Sequence, residues 1–478
     1  MRNYVYNLMC VILMALPTFA HANEVALSSK SGDLQISGTL LDFDGRYYSI
    51  ESEYGNVILD GSLFECSGSG CSGSFRKSET LKIASLASLN SILMPALIEN
   101  FARLSAGTTE VDDIEVGVAF TIMRGDRQLR IELIETSENG AVESLIAHQI
   151  DLALISRDLT EAEKQQHLKS ASGSIWPAPS SEIIALDAYV AVSSPLYEKN
   201  TLKLSDLQSV DHVSLYTPQN TKVFGSIRVD GAILHDDFDD VLQAVDQQKN
   251  SIGILPFSKI RDTKMLRLDA PCGTMPPITH RSIKSRDYIW TTPFFLHASS
   301  LQRGPQAEEF INYLSSISAQ RVIQRAGFVD LSPEVIPLFA QGQRLAFAVQ
   351  NGDSAQLGEL QQTVRILNGA SRLTTTLVFD DGLKNLATRA QSELSHLNRF
   401  LGQDRNGFQE VLVVSFAEKS QKEQMSELLK LVSREIGKGL TNSFGSIKSI
   451  ETHNFANVLP LHCSDAISNA PRIEIWVR

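Results

Sequence analysis

The chain has 478 residues, of which 43% are hydrophobic and 21% are charged, and its 43 basic and 55 acidic residues give a net charge of −12. This length has room for two to four domains, each with a hydrophobic core. The composition is typical of a soluble globular protein and excludes a disordered chain, a fibre and a multi-span membrane protein. The acidic balance, with no basic stripe, also argues against a nucleic-acid-binding protein.

The N-terminus has the pattern of a secretory signal. A positively charged start (residues 1–3) precedes a short apolar run (8–16), and small residues follow at 20 and 22. The apolar run is too short to span a membrane comfortably, so we expect a cleaved signal peptide over residues 1–22 and export to the periplasm. The alternative is an N-terminal membrane anchor.

The cysteines are consistent with an oxidising compartment. Cys66 and Cys71 flank a Ser-Gly-Ser-Gly spacer that lets the two thiols meet, so we expect a disulfide between them. A metal site would need further cysteine or histidine residues nearby, and none lies in that stretch. Cys10 belongs to the signal, and the sequence leaves open whether Cys272 and Cys463 pair.

The first folded segment, residues 23–78, has the pattern of a small antiparallel β module. Short alternating runs at 34–43, 46–51 and 56–59 are separated by turns that contain glycine. The cysteine loop closes the module. It contains no catalytic group.

From residue 81 onward, strands alternate with helices. The predicted strands are 81–84, 128–135, 151–155, 183–192 and 251–256, and the predicted helices are 92–104, 141–148 and 238–248. This alternation predicts an α/β fold with a mostly parallel sheet. In such folds, ligands bind beyond the carboxyl ends of the strands, where helix N-termini present N–H groups to anions.

Several ordered segments in this region resemble one protein family. The segments are 83–88 with 93–97, 136–140, 151–157, 184–195, 252–257 and 324–329. Together they resemble the substrate-binding receptors of phosphate-type ABC importers. The resemblance implies a two-lobed periplasmic binding domain over residues 79–332, a small anionic solute and an ABC importer as a partner. It implies neither an enzymatic activity nor a cofactor.

The resemblance also implies the residues that bind the solute. Receptors of this family capture anions with hydroxyl and backbone N–H groups at helix starts, without a metal. The positions that match here are Ser88, Ser137, Asn139, Ser156, Arg157 and Thr221. The alternative is that the serines only cap helices.

Two departures from the family pattern weaken the expectation of phosphate. Glu138 occupies a turn where the family has serine or glycine, and a carboxylate there would repel phosphate. The family's later Arg-x-x-x-Ser-Gly-Thr run is matched only by residues 216–221, which lack the arginine. The loss of such a charge-assisted donor weakens phosphate binding.

The last part of the chain resembles a second family. After a linker-like stretch at 333–372, which is interrupted by glycines, five segments follow the order of an OmpA-like domain over residues 373–478. They are a strand at 375–382, a helix at 386–401, a strand at 411–418, a helix at 425–436 and a strand at 472–477. The resemblance implies an α+β module that binds peptidoglycan and associates the protein with the cell envelope.

Peptidoglycan binding in that family uses an aspartate and an arginine. The aspartate position corresponds to Glu418. The arginine position corresponds to Ser433, with Arg434 one residue further, and one residue turns a helix by about 100°. The alternative is a domain that only packs against its neighbours.

No other pattern predicts chemistry. The Gly-Asp-Ser tripeptide at 352–354 has little specificity, and the acidic run at 235–240 lacks a calcium-loop spacing and precedes a helix, where carboxylates suit the dipole. No HExxH motif and no catalytic residue were identified. The leading hypothesis is therefore a periplasmic solute-binding protein, and the alternative is an envelope scaffold whose ligand and peptidoglycan sites have degenerated.

Overall fold

The computed structural model describes most of the chain. The described residues are 24–30, 34–43, 47–61, 63–68, 71, 78–125, 127–170, 180–203, 212–216, 222–223, 227–228, 232–235, 237–260, 262–270, 273–274, 276–299, 303–379, 386–403, 407–441, 447–461 and 471–478. The predicted signal peptide (1–22), Thr221, Cys272 and Cys463 lie outside these residues. Two compact units are present, one of residues up to Glu79 with Arg303–Pro305, and the other of the remaining residues.

The N-terminal unit is an antiparallel β module, as predicted. Its strands are β1 (Glu24–Ser29), β2 (Gln35–Phe43), β3 (Tyr47–Ser52), β4 (Gly55–Asp60) and β5 (Phe64–Ser67), in the order β4-β3-β2-β1-β5. Leu27 and Ile50 form its small buried core together with Val25. Cys66 and Cys71 form a disulfide with their Cα atoms 5.6 Å apart, which confirms the predicted pair.

The second unit begins with an α/β region. Its strands are β6 (Ser78–Ser85), β7 (Thr108–Ile114), β8 (Gly117–Arg124), β9 (Arg127–Glu135), β10 (Leu152–Ile155), β11 (Ser180–Ser193), β12 (Thr201–Lys203), β13 (His212–Tyr216), β14 (Lys222–Val223), β15 (Ile227–Arg228), β16 (Ile233–His235), β17 (Ser251–Pro256), β18 (Lys264–Met265), β19 (Arg267–Ala270), β20 (Gly273–Thr274) and β21 (Thr291–Ala298). Its helices are α1 (Ala87–Asn90), α2 (Leu93–Leu104), α3 (Glu138–Ile146), α4 (Glu161–Ser170), α5 (Phe238–Gln247), α6 (His280–Lys284), α7 (Pro305–Leu314) and α8 (Ile317–Arg325).

Two hydrophobic cores divide this region into two lobes. Lobe 1 contains β6, β8, β9 and β10 with α2, α7 and α8, and its core includes Leu81 and Phe310. Lobe 2 contains β13 and β17 with α5 and α6, and its core includes Ile254. The long strand β11 runs from one core into the other, with Ala185 in lobe 1 and Val190 in lobe 2. The predicted two-lobed α/β architecture is therefore confirmed.

The sheet is mixed, so the prediction of a mostly parallel sheet was wrong. The strand order is β16-β13-β17-β11-β21-β10-β6-β9-β8-β7, in which β6 and β10 are parallel. Strand β21 lies between β10 and β11 and is antiparallel to both. Strands β7, β8 and β9 are joined by tight turns, and Gly125 in the second turn has a φ of 62°, which favours glycine. These hairpins make the lobe 1 edge of the sheet antiparallel.

The C-terminal region is a sheet with helices on both faces. Its strands are β22 (Val335–Pro337), β23 (Ser371–Val378), β24 (Glu410–Ala417), β25 (Ser449–Ala456) and β26 (Arg472–Val477), in the order β22-β23-β26-β24-β25. Its helices are α9 (Gly342–Asn351), α10 (Ser354–Leu367), α11 (Thr388–Leu401) and α12 (Lys422–Thr441). The strands and helices predicted within 373–478 are all present, and β24 and β25 are parallel. In the part of the chain that the structure describes, no helix has both the length and the apolar character required to cross a membrane.

The prediction of a linker at 333–372 was wrong, because this segment is folded into the C-terminal region. Helices α11 and α12 cover one face of the sheet, and α9 and α10 cover the other. Leu360 and Leu367 of α10 are buried in the same core as Trp476 of β26. The apolar residues of α10 recur at helical spacing, which is the signal of a packed helix. Gly352, which lies within the predicted linker, is the residue at which α9 ends.

The C-terminal region contacts both lobes through polar side chains. On lobe 2, the Lys284 ammonium lies 2.6 Å from Asp330 and 2.9 Å from Glu334, which leads into β22. On the lobe 1 side, the hydroxyl of Thr388 in α11 donates a hydrogen bond to the carboxylate of Asp158, which follows β10, at 2.8 Å. Both lobes are thus attached to the same C-terminal region.

Candidate functional site

A cleft of about 390 Å³ lies between the two lobes. Lobe 1 contributes the α1 segment and lobe 2 contributes the start of α5 and the turn after β17. The lining residues are Ala87, Ser88, Ser91, Ile92, Asp237, Phe238, Asp239, Ser258, Lys259 and Ile260. The lobe 2 residues of the cleft therefore follow the carboxyl ends of two strands, 237–239 after β16 and 258–260 after β17. Ligands bind beyond such strand ends in α/β folds.

Lys259 connects the two lobes across the cleft. Its ammonium donates a hydrogen bond to Ser91 Oγ at 3.1 Å and lies 5.2 Å from the centre of the Phe238 ring. Burial lowers the pKa of Lys259, although the nearby carboxylates of Asp187, Asp237 and Asp239 oppose this shift. Lys259 is the only cation among the lining residues that the structure describes.

Asp187 holds the turn that carries Lys259. This fully buried β11 residue accepts hydrogen bonds from the backbone N–H of Ser258 at 3.0 Å and from the Ser258 hydroxyl at 2.6 Å. Burial raises the pKa of Asp187 to about 6, while its hydrogen bonds with Ser258 and with the Ala188 backbone oppose the rise. Asp187 does not line the cleft but positions the turn of Ser258 and Lys259, which does.

Carboxylates cover the helix start on the lobe 2 side of the cleft. Asp237 is the N-cap of α5 and accepts a hydrogen bond from the backbone N–H of Asp239 at 2.9 Å. Asp239 and Asp240 lie in the first turn, where negative side chains interact favourably with the helix dipole. Within the described residues, no three His, Cys, Asp or Glu side chains are grouped as metal ligands. The positive end of α5 is therefore already occupied by the chain's own side chains.

The predicted serine-bearing turns of lobe 1 follow the carboxyl ends of neighbouring strands. Parallel strands β6 and β10 end just before Ser88 and Ser156, and the backbone N–H of Thr136, next to Ser137, donates to the Ser85 carbonyl at 3.1 Å. Ser88 lines the cleft, whereas Ser137 and Ser156 are not among its lining residues. Ser137 caps α3 and accepts a hydrogen bond from the Gly140 N–H at 3.2 Å, which is the capping role considered from the sequence.

The carboxylate of Glu138 accepts the hydrogen bonds that Ser156 can donate. One oxygen of its carboxylate accepts hydrogen bonds from the Ser156 backbone N–H, at 2.9 Å, and from the Ser156 hydroxyl. These are donors that the sequence resemblance assigned to a solute anion. The sequence predicted that Glu138 would repel phosphate, and the geometry adds that its carboxylate takes the place of an anion at this turn.

Arg157 is likewise paired within the chain. Its guanidinium donates to both carboxylate oxygens of Glu163, at 2.8 and 2.9 Å, and to the side-chain oxygen of Asn139 at 3.3 Å. These hydrogen bonds from Arg157 lower the pKa of Glu163 to about 2. Two more of the predicted ligand-binding residues, Asn139 and Arg157, therefore bind each other and a carboxylate.

The two residues predicted to bind peptidoglycan are both exposed. Glu418 follows β24, its backbone N–H donates to Gln421 Oε1 at 3.3 Å, and Ser420 donates to its carboxylate at 3.5 Å. Arg434 lies on the exposed face of α12, whereas Ser433 is half-buried. Within the part of the chain that is described, no hydrogen bond or ion pair joins Glu418 to Arg434.

Sequence reasoning missed the residues that shape the cleft from lobe 2. The strand at 251–256 was predicted correctly, and the rule that ligands bind beyond strand ends would have pointed to Ser258 and Lys259. Ser91 and Asp187 carry no comparable signal. Ser91 follows a single turn of helix, and Asp187 is one polar residue within a long apolar strand.

No protein-family model matches the chain, and no curated protein matches it either. Part of the chain is similar to solved structures. An ABC-type phosphate transport receptor from Vibrio cholerae is 16% identical and has a TM-score of 0.38, with 52% of this chain and 99% of the receptor covered. The PstS protein from Borrelia burgdorferi is 13% identical and has a TM-score of 0.36, with 53% of this chain and 98% of that protein covered.

Proposed function

We propose that this chain is a non-enzymatic periplasmic protein that binds a small solute with an acidic group in the cleft between its two lobes. The observation that carries the proposal is the hydrogen bond from Lys259 of lobe 2 to Ser91 of lobe 1 at 3.1 Å. An acidic group placed there would receive a charge-assisted hydrogen bond from Lys259 and a further bond from the hydroxyl of Ser88. The Ser91 hydroxyl donates to the Ser88 backbone carbonyl at 3.2 Å and would have to turn away from it to donate to the solute. Because these donors come from both lobes, the solute would hold the lobes together.

The proposal narrows the site that the sequence resemblance implied. Ser88 stays in it, and Ser91 and Lys259 join it, whereas Ser258 donates both its N–H and its hydroxyl to Asp187. Ser156 and Arg157 are left out, because Glu138 and Glu163 already accept their hydrogen bonds. A small oxyanion such as phosphate that bound at Ser156 and Arg157 would have to displace these two carboxylates, which would then lose their hydrogen-bond donors.

The melting temperature of the purified chain tests the proposal. A solute that binds only the native state raises the melting temperature, and at a concentration 100 times the Kd the stabilisation is about 2.7 kcal/mol. The probes are phosphate, sulfate, acetate, butyrate and succinate. We expect at least one carboxylic acid to raise the midpoint of the wild type but not of Lys259→Ala.

The matched control is Lys249→Ala. Lys249 is an exposed lysine of lobe 2 whose ammonium lies 3.5 Å from Glu198. This variant should respond to the acids as the wild type does. The proposal would be overturned if no acid, with or without an amine group, raised the midpoint of the wild type, or if Lys259→Ala responded as strongly as the wild type.

The proposal extends to two partners, an ABC importer and peptidoglycan. The importer rests on the resemblance of residues 79–332 to the phosphate-type receptors. Peptidoglycan rests on the OmpA-like resemblance of 373–478, with Glu418 and Arg434 as the binding residues. Sedimentation with isolated peptidoglycan should retain the wild type more than Glu418→Ala or Arg434→Ala. Equal retention of the three proteins would remove both residues from the proposal.

A second candidate function is an envelope scaffold. It is favoured by the pairing of Ser156 with Glu138 and of Arg157 with Glu163, since a chain that no longer binds an anion can satisfy these donors internally. The attachment of both lobes to the C-terminal region also suits a protein whose two lobes do not move relative to each other. A melting temperature that no probe changes would favour this candidate.

A further inference from the structure

The charge of the cleft favours a ligand that carries a cation as well as an anion. Its described lining residues include one cation, Lys259, and two carboxylates, Asp237 and Asp239. The carboxylates lie on the same side of the cleft as Lys259, and both attract its ammonium. A dianion bound to Lys259 would therefore be repelled by both carboxylates.

Asp237 has the capacity to bind a second group. Its Oδ1 atom caps α5 by accepting the Asp239 N–H, and none of the described residues donates a hydrogen bond to Oδ2. Asp237 is exposed, so a ligand can reach this oxygen. An ionised carboxylate accepts hydrogen bonds and cannot donate them, and it therefore selects a donor group such as an ammonium.

The size of the cleft suits an organic molecule. A volume of about 390 Å³ lies within the range of roughly 300–1,000 Å³ that is typical of pockets for organic ligands. A phosphate ion has five heavy atoms and would leave most of this space to water. The ring of Phe238 and the side chain of Ile260 add apolar surface to the lining, against which a hydrocarbon segment can pack.

We propose that the solute is a small organic zwitterion. Its acidic group lies at Lys259, Ser88 and Ser91, its ammonium group lies at Asp237 and Asp239, and its hydrocarbon segment packs on Phe238. This inference rests on the proposed function and specifies the chemical class of the solute. The inference accounts for the presence of both carboxylates, Asp237 and Asp239, and a lysine among the lining residues of one cleft.

Isothermal titration with a series of ω-amino acids tests the inference. The probes are glycine, β-alanine, 4-aminobutanoate, 5-aminopentanoate and 6-aminohexanoate, each compared with the carboxylic acid and the amine of the same chain length. We expect at least one amino acid to bind ten times more tightly than the acid or amine that matches it. One charge-assisted hydrogen bond is sufficient for a tenfold difference in Kd.

The matched variants separate the ammonium site from the acid site. Asp237→Asn removes the charge but keeps a residue that caps helices well, so α5 is expected to stay folded. It should weaken binding of the best amino acid at least tenfold, whereas binding of the acid should not weaken, because the acid loses a repelling charge and no hydrogen bond. Asp246→Asn, an exposed position near the other end of α5, is the control and should bind both as the wild type does.

The outcomes distinguish the inference from the proposed function. If the acids bind and the amino acids bind no more tightly, the inference is wrong while the proposed function stands. If the amino acids bind equally well to the wild type and to Asp237→Asn, and the two proteins have the same urea midpoint, the inference is also wrong. Binding of none of the probes would refute both.

Discussion

Replacement of Glu474 by glutamine tests whether a buried charge cluster holds the C-terminal region together. Glu474 is fully buried in β26, and its carboxylate lies 2.6 Å from Arg344, 2.9 Å from Arg472 and 3.4 Å from Arg372. Arg372 also pairs with Asp287 at 2.8 Å. Burial alone would raise the pKa of Glu474, but the three guanidinium groups hold it well below the usual range.

The expected loss of stability follows from the charge count of this cluster. Three guanidinium groups are balanced by two carboxylates, and Glu474→Gln leaves three cations with Asp287 alone. Removal of one partner from a buried ion pair costs about 3–5 kcal/mol, because the remaining charge is left unpaired in a medium of low polarity. Most of the volume is kept, so we attribute the loss to charge and not to a cavity.

Urea unfolding followed by tryptophan fluorescence measures this loss, since Trp476, one of the three tryptophans of the chain, is buried in the same strand. We expect a lower midpoint with an unchanged dependence on urea. The control is Glu427→Gln, which removes an exposed pair with Lys430 at 2.8 Å and should leave the midpoint unchanged. A loss below about 1 kcal/mol for Glu474→Gln would refute the reasoning.

Three further predictions concern buried groups near the lobes. The pKa of Asp187 is raised from 3.8 to about 6, so the wild type loses about 3 kcal/mol of stability as the pH rises from 4 through 6. Asp187→Asn should remove this loss. Urea midpoints with the same pH dependence in both proteins would contradict the prediction. Burial, together with the charge of Arg399, lowers the pKa of His396 to about 4, so the wild type loses about 3 kcal/mol of stability as the pH falls from 6.5 towards 4. His396→Gln should remove this loss. An equal loss of stability at acid pH in both proteins would argue against the prediction. Lys284→Met leaves the buried Asp330 without its cation and Glu334 with only the exposed Arg281, at 3.4 Å, and should cost about 3–5 kcal/mol in the same assay. A change no larger than that of the exposed control Lys249→Met would show that the Lys284 ion pairs contribute little.

Elements with strong local signals were predicted well from the sequence. Helix α5 was expected at 238–248 and lies at Phe238–Gln247, because an aspartate cap precedes an amphipathic run. Strand β17 was expected at 251–256 and lies there. Strand β21 was missed, because what makes it a strand is its pairing with β10 and β11, which are distant in sequence.

The candidate site was predicted only in part, because its partners come together through the fold. Ser88 was predicted from its turn and lines the cleft. Ser156 was predicted as a donor to a solute, but its acceptor is Glu138, 18 residues earlier in the chain. The hydrogen bond from Lys259 to Ser91 spans 168 residues and depends on how the two lobes face each other, which no local pattern encodes.

Native mass spectrometry of the gently purified chain tests the central claim most directly. The wild type should carry a small organic molecule, which fragmentation should identify as one with an acidic group and an amine. The Lys259→Ala variant, prepared in the same way, should have the mass of the bare chain, because Lys259 supplies the cation of the cleft. Equal occupancy of the two proteins by the same molecule would contradict the claim that the solute binds at Lys259.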